Sequence, residues 1–269
     1  MTKQSMVIPC LTEYIACALF LFLGSAAACS AKLNNLPMSL TEICLIWGLS
    51  ISLSIFISAK ISGGHLNPAV TIIMWLLGGF DGKRVVPYII AQTAGCMTGA
   101  ALSWYLYKGA FTIYLSDNSI DLGSAASLPL AGLFTTYPAS YISVMQAGIT
   151  EFIITAILLF SIFILTDKRF GTENSVITPL IIGVIVTLIG VATGPLTGFA
   201  MNPARDFGPK IFCYLAGWGD IAFTGNRQTP YFIVPLTAPL LGALVGGLFY
   251  KIGFSPKPER QEESTSTEA

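Results

Sequence analysis

Two copies of Asn-Pro-Ala, at Asn67-Pro68-Ala69 and Asn202-Pro203-Ala204, carry most of the polar chemistry in an otherwise oily chain. Each Asn offers amide donors and a carbonyl acceptor. Each is also a favoured N-cap, and each Pro suits a first helical position, where its missing N–H costs nothing. A helix N-terminus carries roughly half a positive charge. Two such ends facing one point repel cations and protons, while the Asn amides donate to a neutral oxygen. Arg205 follows the second copy, about 5 Å along the helix from its cap. A cation there opposes the helix dipole and is costly at membrane depth. Stability does not select it; a fixed donor that holds a substrate oxygen and repels cations does. Reaction chemistry is not in the pattern. The single histidine, His65, lies near Ser62 with no third group to orient an imidazole. The six cysteines form no Cys-x-x-Cys and read as small buried hydrophobes. No catalytic residue, metal site or cofactor is expected.

The elements that position these residues are membrane helices. The chain has 269 residues, 54% hydrophobic and 10% charged, against about 25% charged in a soluble domain. Its zero net charge gives no sign of a nucleic-acid partner. Six apolar runs, near 8–30, 42–59, 84–106, 143–165, 178–194 and 231–251, are long enough for a bilayer core of about 30 Å. The small residues around Cys29 resemble a signal-cleavage site, but Glu13 lies in the apolar run and the run echoes a later one, so it reads as a span. Lys60, Lys83, Arg84, Lys168, Arg169 and Lys251, with Lys3, Lys257 and Arg260, gather on one side; Lys32, Lys108, Lys210 and Arg227 fall on the other. That bias places both termini in the cytoplasm. Residues 255–269 read as a disordered cytoplasmic tail.

Residues 1–254 then form one channel domain with an internal repeat, about 6–108 and 143–254. Thr12-Glu13-Tyr14-Ile15 returns 138 residues later as Thr150-Glu151-Phe152-Ile153. Asn67 returns as Asn202 at an offset of 135, and Gly95 and Gly99 return as Gly242 and Gly246 at 147. Each half has three spans, so the second copy enters the membrane inverted. Pro68 to Leu77 is an apolar stretch of ten residues, about 15 Å of helix, enough to reach the bilayer midplane and no further. The second copy runs from Pro203 to about Ala216. Inversion brings the two helix tips together at mid-bilayer. The irregular stretches before the caps, "SGGHL" and "TGFAM", survive at that depth only when buried in protein or lining a wet cavity.

On these motifs, and on the long block "GPLTGFAMNPARDFGPK" above all, the chain resembles the major intrinsic proteins over roughly 6–253, specifically the aquaglyceroporin branch with its bacterial glycerol facilitators. The resemblance implies an all-α membrane fold, a right-handed bundle of six transmembrane helices and two re-entrant half-helices, assembled as a homotetramer in the bacterial inner membrane. It implies a passive pore for glycerol, similar small polyols and water. The constriction implied is Trp47, Phe199 and Arg205, with Gly190 where water-selective relatives carry histidine. Asp206, Pro235 and Leu236 also fit the glycerol branch. Lumen-facing carbonyls are implied at Gly63, Gly64, His65 and Leu66, and at Gly198, Phe199, Ala200 and Met201. Glu13 and Glu151 brace the two loops, with Asp206 beside Arg205. A water-selective pore is the nearest alternative, and a secondary transporter a more distant one.

Overall fold

A computed structural model describes residues 6–170 and 176–254 of the chain, and the expected tail at 255–269 lies outside the described residues. The regular structure among the described residues is helical. Six helices are long and apolar enough to cross a membrane. They are α1 (Val7–Leu33), α2 (Leu40–Ser62), α4 (Val85–Asp117), α5 (Val144–Leu165), α6 (Ile177–Thr197) and α8 (Ile233–Gly253). Two half-length helices, α3 (Pro68–Gly78) and α7 (Pro203–Cys213), complete the bundle.

Local sequence starts and stops these helices. Ser39 caps α2 and Ser143 caps α5, each in a reciprocal pair with the side chain three residues on, Glu42 and Gln146. Gly63 and Gly198 end α2 and α6 in the left-handed region, at φ 96° and 76°.

Glycines let the long helices approach closely. A Cβ on Gly95 or Gly99 would stand 2.3 or 2.5 Å from the carbonyl oxygens of Tyr14 and Ala18 in α1. At the matching places, a Cβ on Gly242 or Gly246 would stand 2.1 Å from those of Phe152 and Ala156 in α5. Gly48 of α2 and Gly183 of α6 oppose one another, with the Cβ of either 2.3 Å from the other's carbonyl oxygen. Without a hydrophobic drive between helices in lipid, such backbone contact supplies the packing.

One expectation is corrected. The third span reaches Asp117, eleven residues past the 106 expected from hydropathy, because Phe111 is buried against Phe134 and Trp218, at 5.7 and 6.2 Å between ring centres. Tertiary packing thus carries the helix beyond its apolar run. The second half-helix is α-helical to Cys213, and helical backbone continues to Ala216, as expected. Gly217, at φ 112°, breaks the turn that follows, and Trp218 folds inward, donating from Nε1 to the Ser127 carbonyl at 3.1 Å. Lys210 is fully buried. Its ammonium lies between Asp206 and the 135–136 segment, a partner that stands far away in the chain.

Candidate functional site

The two half-helix tips meet. Asn67 and Asn202 are extended at the caps, and Pro68 and Pro203 take the first helical positions. The Asn67 Oδ1 accepts from the Ala69 N–H at 2.8 Å. The Asn202 Oδ1 accepts from Ala204 at 3.0 Å and from Arg205 at 3.2 Å. Each amide then crosses to the other half: Asn67 Nδ2 donates to the Met201 carbonyl at 2.9 Å, and Asn202 Nδ2 to the Leu66 carbonyl at 2.8 Å. This refines the sequence expectation. The Leu66 and Met201 carbonyls each accept from an asparagine, and one N–H of each asparagine is committed within the protein. Each amide keeps a second N–H, and both asparagines line the cavity described below.

Before each cap the backbone turns through the left-handed region at three matching places. These are Gly63, Gly64 and Leu66 in the first loop, and Gly198, Phe199 and Met201 in the second. Among the described residues no protein donor meets the carbonyls of Gly63, Gly64, His65, Gly198, Phe199 or Ala200. A buried carbonyl needs a partner, and all of these residues except Gly198 line the cavity described below.

Two buried carboxylates hold the loops. Glu13 accepts from the His65 and Leu66 N–H groups at 3.0 and 2.7 Å, and from Ser62 Oγ and Gln92 Nε2 at 2.6 and 2.8 Å. Glu151 accepts from the Ala200 and Met201 N–H groups at 2.9 and 2.8 Å. The His65 ring packs against Phe80 and Tyr88, with Nδ1 3.2 Å from Thr71 Oγ1.

At one end the lumen is lined by Trp47, Phe199 and Arg205. The Arg205 Cζ lies 4.2 Å from the Trp47 ring centre, and Nη1 donates to the Phe134 carbonyl at 2.9 Å. Next to it, Asp206 Oδ1 accepts from Thr135 Oγ1, Thr136 N and Thr136 Oγ1 at 2.7, 3.0 and 2.6 Å. Lys210 Nζ donates to both Asp206 oxygens, to Thr135 Oγ1 at 2.9 Å and to the Thr136 carbonyl at 3.0 Å. A Cβ on Gly190 would stand 3.1 Å from the Phe199 ring, so this glycine makes room for that ring. Sequence reasoning missed Lys210, Phe134, Thr135 and Thr136. Nothing local links residues 134–136 to a helix some seventy residues away.

A single cavity of about 570 Å³ joins these parts. It runs from Trp47, Phe199 and Arg205, past Asn67 and Asn202, to Thr166, Thr178 and Pro179. Its polar lining is the two loops, Gly63–Asn67 and Phe199–Asn202; Ile51, Ile55, Leu158, Ile182 and Val186 make much of the rest apolar. Such a passage offers hydrogen bonds along one strip and carbon contact elsewhere.

The sequence profile of the family described as "Major intrinsic protein" matches residues 1–250. A propanediol uptake facilitator of Citrobacter freundii is 50% identical over 249 residues, covering 93% of each chain. The glycerol uptake facilitator protein of Escherichia coli strain K12 is 46% identical over 242 residues, covering 90% of this chain and 86% of its own. The X-ray structure of the aquaglyceroporin from Plasmodium falciparum superposes with a TM-score of 0.81 at 32% identity, covering 91% of this chain and 96% of its own. With this profile, these relatives and this helical architecture in agreement, the chain belongs to the major intrinsic protein family, as an integral membrane protein.

Proposed function

We propose that the chain is a passive channel for glycerol and similar small uncharged polyols, passing water as well and excluding ions and protons. It is not an enzyme. The observation that carries the reading is the lumen's lining: loop carbonyls and two asparagine amides on one strip, aliphatic side chains elsewhere. A polyol has the same two sides, hydroxyls and carbon. Its hydroxyls replace lost water contacts along the strip, and its carbons tolerate the apolar wall. At the narrow end the Arg205 guanidinium donates to a hydroxyl while Trp47 and Phe199 meet the carbon backbone. Phe134 and Trp47 fix the guanidinium, so it is a preorganised donor.

Ion exclusion follows from electrostatics. Arg205 repels cations, and two helix N-termini bring partial positive charge to the midpoint. A proton hopping along water meets asparagine donors oriented by their own backbone bonds. Glu13, Glu151 and Asp206 hold the loops by accepting their hydrogen bonds.

A water-selective pore is the weaker alternative. Position 190 is glycine, and the one histidine of the chain packs beside Phe80 in the other loop. The relatives named for glycerol and propanediol uptake support a polyol lumen. Residues 1–254 work as one channel domain within a homotetramer, each subunit with its own pore. It sits in the bacterial inner membrane with both termini cytoplasmic, the side favoured by the lysine and arginine bias.

Stopped-flow light scattering of proteoliposomes decides the function. Vesicles carrying the protein swell in glycerol, propane-1,2-diol and xylitol, without saturation at low concentration and without response to pH or membrane potential. Passage of water with none of glycerol defeats the polyol reading.

A further inference from the structure

Trp47 lines one end of the lumen, and Gly24 lies behind its indole. Gly24 of α1 does not line the cavity, whereas Trp47 and Arg205 do. A Cβ built on Gly24 would stand 2.4, 2.5 and 2.6 Å from Cδ2, Cε2 and Cε3 of Trp47. Three neighbouring ring atoms at nearly one distance put that Cβ over the face of the indole. Carbon atoms rest at roughly 3.5–4.0 Å, so the ring occupies the space that any side chain at 24 would need. On its lumen side the same indole carries Arg205, 4.2 Å from the ring centre.

We propose that Gly24 is a specificity-determining residue of this channel. By letting the indole seat against the α1 backbone, it sets the width of the constriction and so the size of polyol that passes. The proposal rests on the constriction reading above. The helix cannot back away to make room: Gly99 of α4 is in backbone contact with Ala18 and Phe22 of the same α1 segment. A methyl group at 24 therefore drives the ring about 1 Å toward Arg205 and the lumen. The other end of the pore has no such seat. There the positions matching Gly24 and Trp47 are Ile162 and Ile182, and both line the lumen.

The test compares Gly24→Ala, Trp47→Leu and the double variant in proteoliposomes, reading the ratio of glycerol to water permeability per folded channel. Gly24→Ala should lower the ratio roughly tenfold, and more for xylitol, because pore diameter sets selectivity. In the Trp47→Leu background the same methyl should change the ratio by less than about twofold, since no ring remains to be pushed. An unchanged ratio in Gly24→Ala, with Trp47→Leu still shifting it, overturns the proposal and leaves the constriction reading standing. If neither variant shifts the ratio, the constriction reading falls as well. Should Gly24→Ala fail to fold, the double variant decides. Recovery of folded protein supports a clash with the ring, and continued failure overturns it.

Discussion

The two ends of the lumen are built from matching positions and differ in character. Trp47, Phe199 and Arg205 stand at one end; at the matching positions, each 135 residues away, the other end has Ile182, Gly64 and Val70. All six line the cavity. The backbone beneath them is shared: positive φ recurs at Gly63 and Gly198, at Gly64 and Phe199, and at Leu66 and Met201. The buried carboxylates recur too, each taking two N–H groups of its loop. Symmetry therefore builds the meeting point, and side chains break it at the Arg205 end. What that end adds is a clamp. Lys210 and Asp206 pin residues 135–136, which places the Phe134 carbonyl against Arg205. The matching residues at the other end are Trp75 and Thr71, and Thr71 joins Gln92 and His65 instead.

Removing the clamp should have the largest effect. Lys210→Met strands the Asp206 carboxylate in a site where the pair is essentially unexposed, and breaking a buried pair costs about 3–5 kcal/mol. The melting temperature in detergent should fall sharply, and the glycerol-to-water ratio of what remains folded should drop as Arg205 loses its anchor. A full-length channel that melts and conducts like the parent would remove the clamp from this comparison.

A smaller effect sharpens the loop symmetry. Gly64 sits at φ 64° where its match, Phe199, holds a ring at φ 41°. Gly64→Ala should cost about 1–2 kcal/mol for the left-handed backbone, with its Cβ 3.2 Å from Ala59 Cα and Ser58 Oγ. Glycerol flux per folded channel should stay within about twofold, because the carbonyl is what faces the lumen. A collapse of flux in well-folded protein would give the Gly64 side of the loop a role that symmetry does not provide.

The smallest effect belongs to the other end, just past Thr166. Arg169 beside Asp167 holds its carboxyl well below the usual carboxylate range, and the Tyr250 hydroxyl adds a 2.6 Å bond. A depressed carboxyl stabilises the fold above its ordinary pKa of about 3.9 and loses that contribution as pH falls below it. Asp167→Asn should therefore lower the melting temperature slightly at pH 7, with the gap to the parent closing toward about pH 3. A gap that widens on acidification has the wrong sign for this contact.

Much of this was legible beforehand. The six spans were found within a few residues of their ends, except for α4, whose last three turns depend on Phe111 finding Phe134 and Trp218. Arg205, Trp47 and Phe199 came from a motif and a resemblance, and the cavity brings them together. The burial of Lys210 was not legible, because a lysine near a membrane end normally reaches for water. Only packing revealed the nest of four acceptor atoms that keeps it buried. Gly24 was invisible for a related reason: one glycine in an apolar helix carries no sign of the ring that will lean on it.

By itself, the sequence determined the membrane class, the number of spans, their inverted repetition and the two capped half-helices. Those features depend on run length, on Asn and Pro at a helix start, and on residues a few positions apart. Tertiary structure alone decided that each asparagine would bond the other half's backbone, that a lysine would be clamped inside, and that the Trp47 indole would lie against Gly24. Each of these joins residues roughly 25 to 140 positions apart, or four along a helix whose environment is set by such partners. Hydrogen bonds and ring contacts of that reach are created by packing, and no local pattern encodes them.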